Sequence, residues 1–112
     1  MGSLLSVGHG SAEESKLIII RHKGAKADSK PFAIVGKGIT FDTGGISLKS
    51  GAAMDEMKFD MCGSAVVMGV LKVVNELNPK VNIVFAIGST AVSYTHLRSP
   101  RDKRQSRMPS SA

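Results

Sequence analysis

The feature that most constrains the fold is a long apolar stretch at residues 60–77, DMCGSAVVMGVLKVVNEL. Its apolar residues fall on nearly every side of a helix, which predicts a helix buried on most of its surface. Small residues near the start permit close packing against a sheet, and Asn78-Pro79 predicts the end of the helix. Residues 81–87, VNIVFAI, predict a buried strand directly after it.

Two further strands are predicted before this helix. Residues 16–21, KLIIIR, and residues 31–36, PFAIVG, are rich in β-branched and apolar side chains. They form either a hairpin or two neighbours in a larger sheet, and the sequence leaves both open. Residues 38–51 are rich in Gly, Thr and Ser and predict a loop. The order strand, helix, strand favours a parallel crossover, and therefore an α/β fold.

Length and composition exclude several classes of protein. A chain of 112 residues holds one small domain at most. It contains no apolar run long enough to span a membrane, and residues 1–10 lack the pattern of a secretory signal. The single cysteine, Cys62, excludes an internal disulfide and fits a reducing, cytoplasmic compartment.

The net charge of +6 is concentrated at one end of the chain. Residues 91–112 hold five Lys/Arg and one Asp, whereas residues 1–90 hold ten Lys/Arg and eight Asp/Glu. The basic stretch has no periodicity, which predicts a disordered tail over residues 91–112. A nucleic-acid-binding module is the alternative function. It requires aromatic residues interleaved with the basic ones, and Tyr94 is the only aromatic there, so we expect no nucleic-acid partner.

The residues able to carry chemistry lie between the second strand and the helix: Lys37, Asp42, Lys49 and Asp60. Taken alone, each has an ordinary explanation. An aspartate at a helix start is commonly a cap, a lysine is commonly solvated, and Asp-Thr-Gly-Gly commonly forms a turn. The glycine spacing does not match a phosphate-binding loop.

The combination of these residues is more informative than any one of them. They fall at a strand end, in a loop and at a helix start, and ligands of α/β sheets collect at the carboxyl ends of strands. Carboxylates there suit hard divalent cations, and a pair of metals needs a carboxylate that bridges them. A lysine joins such a site only as a neutral amine.

The stretch VGKGITFDTGGISLK, followed by MDEMKFDMCG, closely resembles the signature region of the leucyl aminopeptidase (cytosol aminopeptidase) family. The resemblance covers about residues 1–90, back through LLSVGHGSAEESKLIIIRHKG and forward to VNIVFAIGST. It implies part of a three-layer α/β/α metallopeptidase domain with a mixed sheet. It also implies an aminopeptidase that releases N-terminal residues, leucine-type, from peptides by two-metal hydrolysis.

The resemblance implies a role for each matching position. Lys37 resembles the lysine that binds the more loosely held metal through its amine. Asp42 resembles the carboxylate shared by both metals, and Asp60 a further ligand of the metal held by Lys37. Lys49 resembles the catalytic lysine, which stays charged and polarises the scissile carbonyl.

Two neighbouring positions and the partners follow from the same resemblance. Met57 resembles a residue lining the pocket for the first side chain of the substrate, although without the family it equally suits a core methionine. Cys62 resembles a small buried residue. The implied cofactors are two divalent ions, Mn²⁺ or Zn²⁺. The implied partners are peptides with a free N-terminus, with no membrane involved, and full-length members of the family form hexamers.

The sequence departs from the family pattern after residue 90. The family's downstream Asn-Thr-Asp-Ala-Glu-Gly-Arg block, which carries the remaining ligands, does not occur. Residues 92–97, VSYTHL, resemble translated sequencing adapter instead. We therefore expect residues 1–90 to be a partial catalytic domain, residues 91–112 to be an artefactual tail, and the chain alone to be inactive.

Overall fold

The computed structural model describes residues 2–93 of the chain, and each predicted helix and strand is present in it with altered bounds. In chain order the elements are helix α1 (Gly2–Gly8), strand β1 (Lys16–Lys23), strand β2 (Phe32–Asp42), helix α2 (Gly51–Asp55), a 3-10 helix (Glu56–Phe59), helix α3 (Cys62–Leu77) and strand β3 (Asn82–Val92). None of the helices in this part of the chain is both long and apolar enough to cross a membrane.

The three described strands form one mixed sheet in the order β1-β3-β2. β3 pairs antiparallel with β1 and parallel with β2. The predicted parallel crossover is therefore confirmed, because α3 connects β2 to β3. Both alternatives for β1 and β2, a hairpin and two neighbours in a sheet, are wrong, since β3 lies between them. The most apolar strand takes the central place, where both of its edges are paired.

β2 is longer than the sequence predicted. The Gly- and Thr-rich residues from 38 onward suggested a loop, but the strand continues to Asp42, which pairs with Val92. Partners on β3 offset the weak strand preference of these residues. A bulge between Ile39 and Phe41 shifts the register. β3 likewise continues two residues past 90, where we expected the tail to begin, and residues 94–112 of that expected tail lie outside the described residues.

Helices lie on both faces of the sheet. Val67 and Val74 of α3 pack against the buried side chains Ile83, Phe85 and Ile87 of β3. Alternate residues of β3 point to the other face. There Gly88 lies beside α1, since a Cβ placed on it would be 3.4 Å from a methyl of Leu4. The order α1, sheet, α3 confirms a three-layer α/β arrangement.

The expectation that α3 is buried on most of its surface is wrong for the described residues. Only Ser64, Val67 and Val74 are buried, whereas Val66 and Leu77 are 66% and 74% exposed. The reason is that α3 contacts the sheet along one side only. Its end is as predicted, because Asn78 adopts the left-handed conformation with φ 45°.

Candidate metal centre

The four candidate side chains come from β2, from the loop after it and from the segment before α3. Lys37 lies within the strand, and Asp42 is its last residue. Lys49 lies in the loop that follows, and Asp60 lies between the 3-10 helix and α3. Asp42 marks the carboxyl end of the parallel pair β2 and β3, where the sequence predicted a site, and Lys37 lies five residues before it.

Asp42 and Lys49 are brought together by a tight loop. Asp42 Oδ1 accepts a hydrogen bond of 2.8 Å from the Gly44 amide. Gly44 and Gly45 have φ of 89° and 65°, which glycine adopts without steric cost. The Lys49 amide then donates to the Thr43 carbonyl over 3.0 Å, which turns the chain back. As a result, Lys49 Nζ lies 2.9 Å from Asp42 Oδ2.

The electrostatic surroundings of Asp42 favour its charged form. Burial raises the pKa of this carboxyl, but the hydrogen bonds from Lys49 and Gly44 lower it. The positive charges of Lys49 and Lys37 act in the same direction, and together they hold the pKa below its usual value of 3.8. The Lys37 ammonium is therefore close enough for its charge to lower the pKa of Asp42.

The second pair joins residues that are far apart in sequence. Lys37 Nζ donates to Asp60 Oδ1 over 2.5 Å. The lysine side chain is 60% exposed, whereas the aspartate side chain is only 15% exposed. The other carboxylate oxygen, Asp60 Oδ2, is buried and has no hydrogen-bond partner among the described residues. A buried carboxylate oxygen without a partner is costly, and a bound cation would satisfy it.

The structure answers whether Asp60 is only a helix cap. Its amide donates to the Met57 carbonyl over 3.1 Å, so Asp60 closes the 3-10 helix. Met61 occupies the cap position of α3 and makes no side-chain cap bond. The interpretation of Asp60 as the N-cap of α3 is therefore wrong, and its carboxylate is available for other contacts.

These donors fit a hard divalent cation. The unpartnered oxygen of Asp60 lies beside the amine of Lys37, and the lowered pKa of Asp42 keeps that carboxylate charged. Within residues 2–93 no cluster of three or more His, Cys, Asp or Glu side chains is assembled. The candidate donors in this part of the chain are thus two carboxylates and one lysine amine, of which Lys37 and Asp60 are in direct contact.

A cleft of about 610 Å³ opens next to the first pair. Asp42 and Lys49 line it, together with backbone of the glycine turn and Val92 at the end of β3. The cleft places a charged carboxylate and an ammonium on the wall of a space large enough for a small substrate.

Comparison with known proteins identifies the family. A sequence model of the cytosol aminopeptidase family, catalytic domain, matches residues 1–94. The chain belongs to the cytosol aminopeptidase family. It is 60% identical over 89 residues to a probable cytosol aminopeptidase of Saccharophagus degradans, which is 80% of this chain and 18% of that protein.

Other relatives agree with this assignment. A probable cytosol aminopeptidase of Alkalilimnicola ehrlichii is 62% identical over 84 residues, which is 75% of this chain and 17% of that protein. One of Thioalkalivibrio sulfidiphilus is 57% identical over 89 residues, again 80% of this chain and 18% of that protein. The chain spans less than a fifth of the length of these relatives. The resemblance given by the signature residues is thereby confirmed.

Four positions that the family resemblance singled out are not among the residues that line the cleft: Lys37, Met57, Asp60 and Cys62. Met57 is half-buried on the 3-10 helix and is not among the residues that line the cleft, so its pocket role stays a prediction. Cys62 is exposed, and the expectation that it is buried is wrong. The reason lies in the first turn of α3, where Gly63 rather than Cys62 meets β2.

Sequence reasoning missed the backbone groups that shape the site. Gly36 and Gly63 form the contact between β2 and α3. The available signal was the placement of glycines next to the charged residues. That pattern indicates close backbone approach, but it does not say which backbone approaches which.

Proposed function

We propose that this chain forms part of the active site of a metal-dependent aminopeptidase, which hydrolyses the peptide bond after the N-terminal residue of a peptide. The observation that carries the proposal is the buried, unpartnered oxygen of Asp60 held beside Lys37. The relatives supply the reaction class, since their names describe probable cytosol aminopeptidases.

In this proposal Lys37, Asp42 and Asp60 would hold two divalent ions, Mn²⁺ or Zn²⁺. Divalent ions at such a site would polarise a carbonyl and lower the pKa of water. To act as a ligand, Lys37 would give up a proton from Nζ to solvent, and its neutral amine and the Asp60 carboxylate would then face the same cation. The 2.5 Å contact supports this arrangement, because the two donor atoms already adjoin.

Lys49 acts on the substrate rather than on the cation. Its side chain lines the cleft and is held by Asp42 at 2.9 Å. From this wall the ammonium donates a hydrogen bond to the carbonyl oxygen of the scissile bond as negative charge develops there. A fixed donor of this kind stabilises the transition state more than the ground state.

The remaining proposals concern specificity and setting. Met57 lies on the 3-10 helix next to Asp60 and contributes to the pocket for the first side chain, with a leucine-type preference. The substrates are peptides with a free N-terminus. The whole protein acts in the cytoplasm as a hexamer, without a nucleic-acid or membrane partner.

A graft into a relative tests the function. The matching segment of the Saccharophagus degradans protein is replaced by residues 1–90 of this chain, and hydrolysis of leucine amide is measured with Mn²⁺. The graft retains activity. Asp42→Asn and Asp60→Asn each reduce kcat/KM by about 100-fold or more, since a ligand is lost.

The control for these substitutions is Asp55→Asn. Asp55 makes an exposed pair with Lys58 at 3.0 Å and loses the same charge, so its effect on kcat/KM is less than about twofold. Full activity in the Asp60→Asn graft contradicts the proposal.

We also propose that the 112-residue chain has no aminopeptidase activity on its own. Two carboxylates and one amine leave a pair of cations short of ligands. The test is hydrolysis of leucine amide by the purified chain with Mn²⁺, in which turnover above background contradicts the proposal.

A further inference from the structure

Two glycines hold β2 and α3 in backbone contact next to the Lys37–Asp60 pair. A Cβ placed on Gly63 would lie 2.8 Å from the amide nitrogen and 3.2 Å from the carbonyl oxygen of Lys37. A Cβ placed on Gly36 would lie 2.7 Å from the Gly63 carbonyl oxygen and 2.7 Å from a methyl of Val67. Distances below 3.0 Å are essentially never found for Cβ atoms. Because most of the obstructing atoms belong to backbone, a side chain at either position must push the helix and strand apart.

The need for glycine here is steric rather than conformational. Among glycines within residues 2–93, positive φ occurs at Gly44 and Gly45, and not at Gly36 or Gly63. A glycine inside a helix is unfavourable relative to alanine, and a glycine inside a strand also weakens it. Glycine at these two positions allows α3 to approach β2 closely.

The contact between Gly36 and Gly63 lies close in sequence to both residues of the Lys37–Asp60 ion pair. Gly36 precedes Lys37 on β2, and Gly63 follows Asp60 by three residues at the start of α3. The spacing of β2 and α3 at this point therefore sets the distance that the Lys37 side chain must span to reach Asp60.

We propose that Gly36 and Gly63 are positioning residues for the candidate metal centre. Their backbone contact fixes the separation between the amine of Lys37 and the carboxylate of Asp60. The part of this inference that concerns cation binding rests on the proposed function, whereas the part that concerns the ion pair does not.

The size of the displacement is enough to matter. Moving an obstructed Cβ from 2.8 Å to ordinary van der Waals contact near 3.4 Å requires a shift of several tenths of an ångström. Metal–ligand distances tolerate about 0.2 Å, and catalytic groups about 0.5 Å. The Lys49–Asp42 pair closes inside its own loop and is not part of this contact, so it serves as an internal reference.

The first experiment measures the ion pairs without any metal. A carbodiimide joins a lysine amine directly to a carboxylate in contact with it, and mass spectrometry of the digested 112-residue chain quantifies each link. In Gly63→Ala, the Lys37–Asp60 link falls at least fivefold relative to wild type. The Lys49–Asp42 link remains.

The matched control is Gly69→Ala on the same helix. A Cβ at Gly69 meets nothing within 4 Å, so this variant keeps both links at wild-type yield while receiving the same helix-favouring methyl. Gly36→Ala provides an independent approach from the strand side, with the same expected loss. Adding Asp60→Glu to Gly63→Ala restores part of the link to Lys37, because the longer side chain spans the wider gap.

The second experiment measures the Mn²⁺ affinity of the grafted protein with the same substitutions, by electron paramagnetic resonance of the free ion. Gly63→Ala weakens binding at least tenfold and Gly69→Ala leaves it unchanged. If the wild-type 112-residue chain shows the expected links but the wild-type graft binds no Mn²⁺, the metal function fails and the positioning role stands.

Two results overturn the positioning role. One is a Lys37–Asp60 link in Gly63→Ala at wild-type yield. The other is loss of both links together with the helical circular dichroism signal, because the glycines then maintain the whole fold rather than the ion pair. Trimethylamine N-oxide is included in all samples to favour the folded chain.

Discussion

The two lysine–aspartate pairs at the end of β2 have similar lengths but different origins. Lys49 and Asp42 are seven positions apart and are joined by a loop with its own hydrogen bonds. Lys37 and Asp60 are separated by 23 positions, and the packing of α3 and of the 3-10 helix on β2 brings them together. One pair is a local structure, and the other is a tertiary structure.

This difference teaches how the site depends on the rest of the molecule. A local pair depends mainly on the correct turn residues, whereas a tertiary pair depends directly on the packing of the core. Of the two proposed carboxylate ligands, Asp60 is therefore the more sensitive to changes in packing, and Asp42 is the less sensitive.

The substitution with the largest expected effect is Phe85→Ala, which disrupts both lysine–aspartate pairs. Phe85 is 1% exposed and lies at the centre of the core between sheet and α3. Phe85→Ala lowers the free energy of unfolding by about 3–5 kcal/mol, as measured by urea denaturation. For a chain of this size that loss unfolds most molecules, and both carbodiimide links disappear. If the Lys49–Asp42 link survives in the unfolded chain, the turn alone holds this pair, and the pairing of Asp42 with β3 is not needed for it.

The substitution with the next largest expected effect is Gly44→Ala, which acts on the Lys49–Asp42 pair. Gly44 has φ of 89°, a conformation that costs alanine on the order of 1–2 kcal/mol. Gly44→Ala reduces the Lys49–Asp42 link and lowers the unfolding free energy by about that amount, while the Lys37–Asp60 link remains. It is the reverse of the pattern expected for Gly63→Ala. Equal loss of both links in Gly44→Ala contradicts the separation of the two pairs.

A smaller effect concerns pH. The pKa of Asp42 is lowered in the folded chain, so its charged form stabilises the fold above the ordinary value of 3.8. That contribution is lost as pH falls from about 3.8 through the lowered pKa. In Lys49→Met the largest of the interactions that lower the pKa is gone, so the pKa of Asp42 rises relative to wild type. Carboxyl carbon NMR titration of the two chains checks the direction, and an unchanged pKa in Lys49→Met contradicts it.

The smallest effect is expected for the exposed pair outside the site. Asp55 and Lys58 lie 3.0 Å apart on the surface, and their side chains are 73% and 57% exposed. Asp55→Asn changes the unfolding free energy by less than about 0.5 kcal/mol and leaves both other links intact. A change above about 1 kcal/mol would mean that the Asp55–Lys58 pair also supports the site, which contradicts an account based on the other two pairs alone.

Patterns with a local physical cause could be predicted from the sequence. The end of α3 at Asn78 and the parallel crossover follow from turn chemistry and from apolar periodicity. The same holds for the turn after Asp42, where an aspartate followed by two glycines favours a side-chain bond to the backbone.

Features that depend on a distant partner could not be predicted in this way. Residues 38–42 continue β2 because β3 lies alongside, and nothing in that glycine-rich stretch indicates the neighbour. The place of β3 between β1 and β2 is equally non-local. The predicted helix began at Asp60, whereas α3 begins at Cys62, because the sequence does not show that a 3-10 helix precedes it. The contact of Lys37 with Asp60 was suggested by family resemblance and not by spacing.

The most direct test is anomalous diffraction at the manganese absorption edge from crystals of the grafted protein grown with Mn²⁺. The account predicts an anomalous peak within about 2–2.5 Å of Lys37 Nζ and a carboxylate oxygen each of Asp42 and Asp60. Density showing these three side chains directed to separate regions, with no shared peak, would contradict it.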